Sequence, residues 1–271
     1  MELKRQILAT TSVDAHGEKL SKDELVELCS YFSPKMVINN EHDLSLPPIA
    51  VATNLSIVAF GDSEWAMVGD VVVNDEATFN IKGGFSMSWL ADIYTTKPNE
   101  PADIEIYFNP RYFSENEALS LIQPSNDLVT INARQLKQKA LEPVLILIIK
   151  FVSASALAGF FGKAGADAYD GLKKKISSLV SNKEKEGQSV ALQLHIPNNI
   201  NPLKAELILE VPGDLIEYAR AGALDFESAV ICAKRLPYSS SLQKVVITSY
   251  KKPPVWQVKY YIKGDGSVVK I

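Results

Sequence analysis

Residues 143–161, PVLILIIKFVSASALAGFF, form the dominant apolar stretch of the chain and must be buried somewhere. Their length approaches the roughly 20 residues of a membrane-spanning helix. Lys150 falls near the centre, where a charge costs roughly 2.5–3.5 kcal/mol on insertion scales, and the second half is small and polar. Ala154, Ala158 and Gly162 recur every four residues, a spacing that lets another backbone approach closely. The stretch therefore predicts a long helix buried at the centre of a globular protein, with a membrane-inserting segment as the alternative. In the buried case Gly159 and Gly162 should lie against backbone, and Lys150 should reach the surface or a carboxylate.

Around this segment the hydrophobic period changes. Residues 3–13 predict a strand, and Ser21-Lys22-Asp23-Glu24 is a capping box opening a helix that Pro34 ends. From 36 to about 108 the alternation is two: 49–59, 64–73, 78–81, 85–94 and 104–108 predict strands, as in a small barrel or sandwich. Ser114-Glu115-Asn116-Glu117 is a second capping box, and 127–141 is helical or mixed in pattern. Pro143 suits the first turn of a helix that continues to about residue 181. Lys183-Glu184-Lys185-Glu186-Gly187 has the composition of a linker. Strands at 190–196 and 205–211, helical sequence at 214–235, strands at 244–250 and 255–262, and a Gly264-Asp265-Gly266 turn complete the chain. No internal sequence repeat is visible. The expected fold is α+β in three parts: a β-barrel-like domain at 1–110, a helical connector at 111–187 and a small α+β domain at 188–271.

Of the 271 residues, 46% are hydrophobic and 22% charged, a mixture that supports a sizeable core. The net charge of −4 argues against a nucleic-acid surface. The one dense basic run, Lys173-Lys174-Lys175, is expected on a solvated helix face. Two cysteines, Cys29 and Cys232, make neither a disulfide framework nor a zinc site and fit a reducing, cytoplasmic setting. The first residues lack the apolar core of a signal peptide. No cofactor or metal is expected.

No phosphate loop, dinucleotide fingerprint, His-Glu-x-x-His or Gly-x-Ser-x-Gly motif occurs. Only three histidines exist: His16 in a turn, His195 in an alternating strand with a structural role expected, and His42 between polar residues and Pro47-Pro48. Gly83-Gly84-Phe85-Ser86-Met87-Ser88-Trp89 places two hydroxyls on one strand face and bulky apolar groups on the other. That pattern fits a solvated strand or an open groove holding a nucleophile.

Ile7-Leu8-Ala9-Thr10-Thr11, Val13-Asp14, Gly17-Glu18, the helix through Tyr31-Phe32-Ser33-Pro34 and Ile38-Asn39-Asn40-Glu41-His42 together resemble the opening of the capsid-scaffold and prohead proteases of tailed phages. His42-Asp43 followed by Pro47-Pro48-Ile49-Ala50 is similar to that family's His-Asp-x-x-x-Pro-Ile-Gly pattern, with Ala50 where the family has glycine. Phe85-Ser86-Met87-Ser88 is similar to its serine strand. The resemblance covers about the first third of the chain. It implies a herpesvirus-protease-like β-barrel and a serine peptidase acting on a protein or peptide. Ser86 or Ser88 would be the nucleophile, His42 the general base, and Asp14, or another carboxylate such as Asp43, its orienting partner. Two other functions stay open at this point: a non-catalytic interaction protein on the same barrel, and a membrane-active effector using 143–161.

Overall fold

The computed structural model describes residues 1–13, 19–38, 46–74, 88–95, 100–110, 112–123, 129–138, 145–162, 166–212, 225–237, 241–250 and 255–271. The chain divides into two compact units, Met1–Trp89 with Gln138–Leu141, and Leu90–Lys137 with Glu142–Ile271. These divisions differ from the expected ones at 110 and 187.

The first unit is an antiparallel sheet with one helix. Strands β1 (Glu2–Thr10), β2 (Lys35–Ile38), β3 (Ala50–Phe60) and β4 (Glu64–Val73) lie in the order β1-β4-β3-β2. A tight connection through Gly61, at φ +68°, joins β3 to β4; a left-handed residue is where glycine carries no Cβ penalty. Helix α1 (Lys22–Phe32) begins at the expected capping box, with Glu24 N donating to Ser21 Oγ and Ser21 N to Glu24 Oε2. Its Leu25 is fully buried among Leu8, Met36, Ala52, Met67 and Val71 of the sheet. The expected closed barrel is not found: β1 and β2 lie at opposite edges of an open sheet among the described residues.

The second unit holds a nine-stranded mixed sheet, apart from Ser88 and Trp89 at the start of one strand and Gln138 at the end of another, which are counted with the first. Its strands are β5 (Ser88–Thr95), β6 (Ile104–Phe108), β7 (Ile131–Gln138), β8 (Leu145–Phe151), β9 (Val190–Ile196), β10 (Glu206–Pro212), β11 (Leu242–Ser249), β12 (Trp256–Lys263) and β13 (Val268–Lys270). Their order is β13-β12-β11-β10-β9-β8-β6-β7-β5. Three parallel pairs recur: β6 with β7, β8 with β9, and β10 with β11. Each is joined through helix: α2 (Glu115–Ile122), then α3 (Ala154–Phe161) with α4 (Ala166–Lys185), then α5 (Phe226–Lys234). Antiparallel pairing of β6 with β8 and of β9 with β10 sets the three βαβ units side by side. Parallel strands require such crossovers, because a tight turn only reverses the chain.

Alternate strand residues, among them Ile104, Ile106, Leu147, Ile149, Leu192, Leu194, Leu207 and Val245, share one core with Leu121 of α2, Phe160 of α3, Ile176 of α4 and Val230 of α5. The helices thus cover a single sheet face in that core.

The apolar stretch is where sequence and structure part. It forms β8 and, after Val152, the short helix α3, rather than one long helix. Leu145-Ile146-Leu147-Ile148-Ile149 is buried on both faces between β6 and β9, so alternation is absent. A short, continuous apolar run fits a central strand as well as a helix. Ser153 then caps α3, accepting from Ala156 N at 3.1 Å. Gly159 packs on the ring of Tyr169, not on backbone, and Gly162 is the C-cap of α3. No helix of the described residues is long and apolar enough to cross a membrane.

Three further expectations change. Residues 131–138, expected as helical or mixed, are strand β7. The expected linker at 183–187 is the end of α4, closed by Gly187 at φ +81° with Gln188 N donating to Lys183 O. Lys183 is buried there, 3.0 Å from Glu117 of α2. Within the basic run Lys173 is buried too, its ammonium 5.2 Å from the centre of the Phe160 ring.

Candidate functional site

Hydrogen bonds beyond the strand ladders close both ends of the four-stranded sheet. At one end β2 finishes at Ile38, whose carbonyl accepts from Ile49 N at 2.9 Å. Asn74, just past β4, donates from its backbone to Ile49 O at 2.8 Å and from its side chain to Pro48 O at 3.0 Å. Val73 N donates to Met1 O beside them. At the other end Thr11 N donates to Trp65 O, Trp65 N donates to Thr11 Oγ1 at 2.8 Å, and Ser12 Oγ donates to Glu64.

His42, Asp14 and Ser86 lie outside the described residues. Ser88 opens β5, with its side chain also outside them. Their flanks are described. The segment holding His42 follows Ile38, and the segment leading to Ser86 follows Asn74, so both depart from one end of the sheet. Asp14 follows Ser12 and Val13 at the opposite end.

The second unit carries a polar row that the sequence did not single out, on the sheet face turned away from the helix-covered core. Glu105 on β6 is opposite Lys150 on β8, and Lys150 is opposite His195 on β9. Arg134 Nη2 lies 2.7 Å from Glu105 Oε1, Lys150 Nζ lies 3.2 Å from Glu105 Oε2, and the Tyr107 hydroxyl donates to the same carboxylate. Burial alone would raise the Glu105 pKa. The Tyr107 hydrogen bond and the charges of Lys150 and Arg134 outweigh it and hold the carboxyl below its usual range.

His195 is 9% exposed, with Nε2 3.4 Å from Gln193 Oε1. Burial, reinforced by Lys244 and Lys150, pulls its pKa down to about 3, so the ring is neutral at physiological pH. Glu206 on β10 pairs with Lys244 on β11 at 3.6 Å. Lys150, His195, Pro197, Asn198 and Glu206 line a cavity of about 280 Å³. Single polar residues inside Ile104-Glu105-Ile106 and Leu194-His195-Ile196 were the available signal, but which strands are neighbours cannot be read from one strand at a time.

Among the described residues, no group of three or more His, Cys, Asp and Glu is placed to hold a metal ion. Comparison with family models, with curated proteins and with solved structures found no match.

Proposed function

We propose that the N-terminal unit is a serine peptidase acting on a protein or peptide, with Ser86 as nucleophile and His42 as general base. The observation that carries this reading is the shared sheet end formed by Ile38, Ile49 and Asn74, from which both segments depart. A nucleophile and its base must come within hydrogen-bond reach, and Ile38 and Asn74, both bonded to Ile49, precede His42 by 4 residues (42 − 38) and Ser86 by 12 (86 − 74). In such a site the imidazole takes the seryl proton as Oγ attacks the scissile carbonyl, then returns it to the leaving amine. Water, activated by the same ring, releases the acyl group. Gly83-Gly84 before Ser86 favours it over Ser88, leaving room for a substrate backbone and for amide donors near the oxyanion.

The orienting carboxylate has two candidates. Asp14 follows the far end of the sheet, which supports Asp43, in the same segment as His42, as the alternative.

A fluorophosphonate probe tests the reading. Wild type is expected to label, while Ser86→Ala and His42→Ala are not. Of Asp14→Asn and Asp43→Asn, the slower to label identifies the carboxylate. A folded wild type that does not label would leave the non-catalytic interaction protein in its place.

A further inference from the structure

We propose that the groove between α5 and the start of β12 binds a small aromatic monocarboxylate, its carboxylate on Arg235 and its ring against Trp256. This site lies within the second unit and does not rest on the peptidase reading.

Helix α5 turns Ala229, Val230 and Ala233 into the core. Ser228, Ile231, Cys232 and Arg235 recur at i, i+3, i+4 and i+7, which sets them in one stripe along the helix flank. With Val255 and Trp256 they line a cavity of about 380 Å³, within the range of small-molecule sites. Two of its apolar walls stand open to solvent, Ile231 at 51% and Val255 at 43% exposure, so an apolar ligand body has area to bury there.

Charge gives the groove a direction. Asp225 caps α5 at one end, accepting from Glu227 N at 2.9 Å and from the Ser228 hydroxyl. Arg235 is the cap of the other end, ten residues on (235 − 225) and so about 15 Å away along the helix. No carboxylate among the described residues pairs with its guanidinium. One small ligand does not span the two ends, so it carries a single charge. An anion is repelled by Asp225 and drawn to Arg235, whose full charge outweighs the roughly half negative charge of a helix C-terminus. The planar guanidinium suits a carboxylate, which it can hold through two parallel hydrogen bonds.

Trp256 sets the place of the ring. Its indole Nε1 donates to Asp225 O at 2.9 Å, and its carbonyl accepts from the Cys232 thiol at 3.6 Å. Side chain and backbone are both tied to α5, so the aromatic wall is fixed before a ligand arrives and loses little freedom on binding. An offset or edge-on ring gains from such a wall beyond the area it buries. The Ser228 hydroxyl proton is already given to Asp225, so that end of the groove favours an apolar body.

Titration of the ¹⁵N-labelled full chain with phenylacetate and indoleacetate to millimolar concentration tests the site, with phenylacetamide and acetate as controls. The readout is the Trp256 indole ¹H–¹⁵N signal, assigned by its loss in Trp256→Phe; the signals of Trp65 and Trp89 serve as internal controls. At least one of the two aromatic acids is expected to shift the Trp256 signal saturably. Arg235→Gln should weaken that binding roughly tenfold or more, as loss of a charged hydrogen bond does. Val255→Glu, also at an exposed position, should weaken it as strongly by placing a carboxylate in the wall. No saturable shift in the folded wild type would overturn the proposal. So would an unchanged affinity in Arg235→Gln, or phenylacetamide binding as tightly as phenylacetate. Acetate binding as tightly would overturn it in favour of a plain anion site.

Discussion

Glu105 and Lys150 face each other across β6 and β8, with Lys150 Nζ 3.2 Å from Glu105 Oε2 and Arg134 closing on the other oxygen. Lys150, the one charge inside the apolar run, thus has a carboxylate partner one strand away. Glu105→Gln should lower unfolding free energy by roughly 2–4 kcal/mol, because it strands a partly buried guanidinium. Glu105 has a depressed folded pKa. Its contribution is therefore present above the unfolded carboxyl pKa and lost as pH falls through the folded one. Urea unfolding of wild type and variant from neutral to acid pH should show the two curves converging at the acid end.

His195 gives a pH dependence from the opposite chemistry. Its folded pKa of about 3 lies below the ordinary value of 6.5, so between them the unfolded chain binds a proton that the folded one does not. Stability is then lost as pH falls below about 6.5, with a slope approaching about 1.4 kcal/mol per pH unit from this residue. His195→Gln should show a shallower fall than wild type over that window, measured by urea unfolding at each pH.

Gly159 and Tyr169 meet where α3 crosses α4. A Cβ at 159 would overlap Tyr169 Cε2 and stand 2.9 Å from Cδ2, and Tyr169 is itself buried beside Phe160. Gly159→Ala should cost roughly 1–3 kcal/mol, despite alanine's better helix propensity. A urea midpoint equal to or above wild type would show that the ring yields.

Amide exchange separates a buried sheet strand from a membrane segment at 145–151. β8 is bonded on both sides, to β6 and to β9, in the interior of the second unit's sheet. Its amides should be among the slowest in the chain, with exchange unchanged by added liposomes. Fast exchange there, or protection that appears only with lipid, would contradict the placement.

The contrast between these elements shows what one sequence discloses. Both capping boxes, at Ser21 and Ser114, open helices as expected, because the signal lies within four residues. Strands β4, β6 and β9 fall at the expected bounds, since alternation or a bounded apolar run marks them locally. β8 reads equally as helix, because burial on both faces removes the period that separates the two. The three βαβ units share an architecture and no visible sequence repeat; among the described residues their connecting helices differ in number and length. The row from Arg134 to His195 was illegible for a related reason. Its members lie on four strands, and only the register brings them together. His42 and Ser86 were legible only through motif resemblance, and both fall outside the described residues.

Mapping the adduct of a fluorophosphonate probe by peptide mass spectrometry tests whether Ser86 is the nucleophile. One modified serine is expected, Ser86, with the adduct absent from His42→Ala and retained in Ser88→Ala. An adduct on Ser88 would move the nucleophile two residues along the chain. No adduct on a wild-type protein whose β8 amides remain protected would contradict the peptidase assignment.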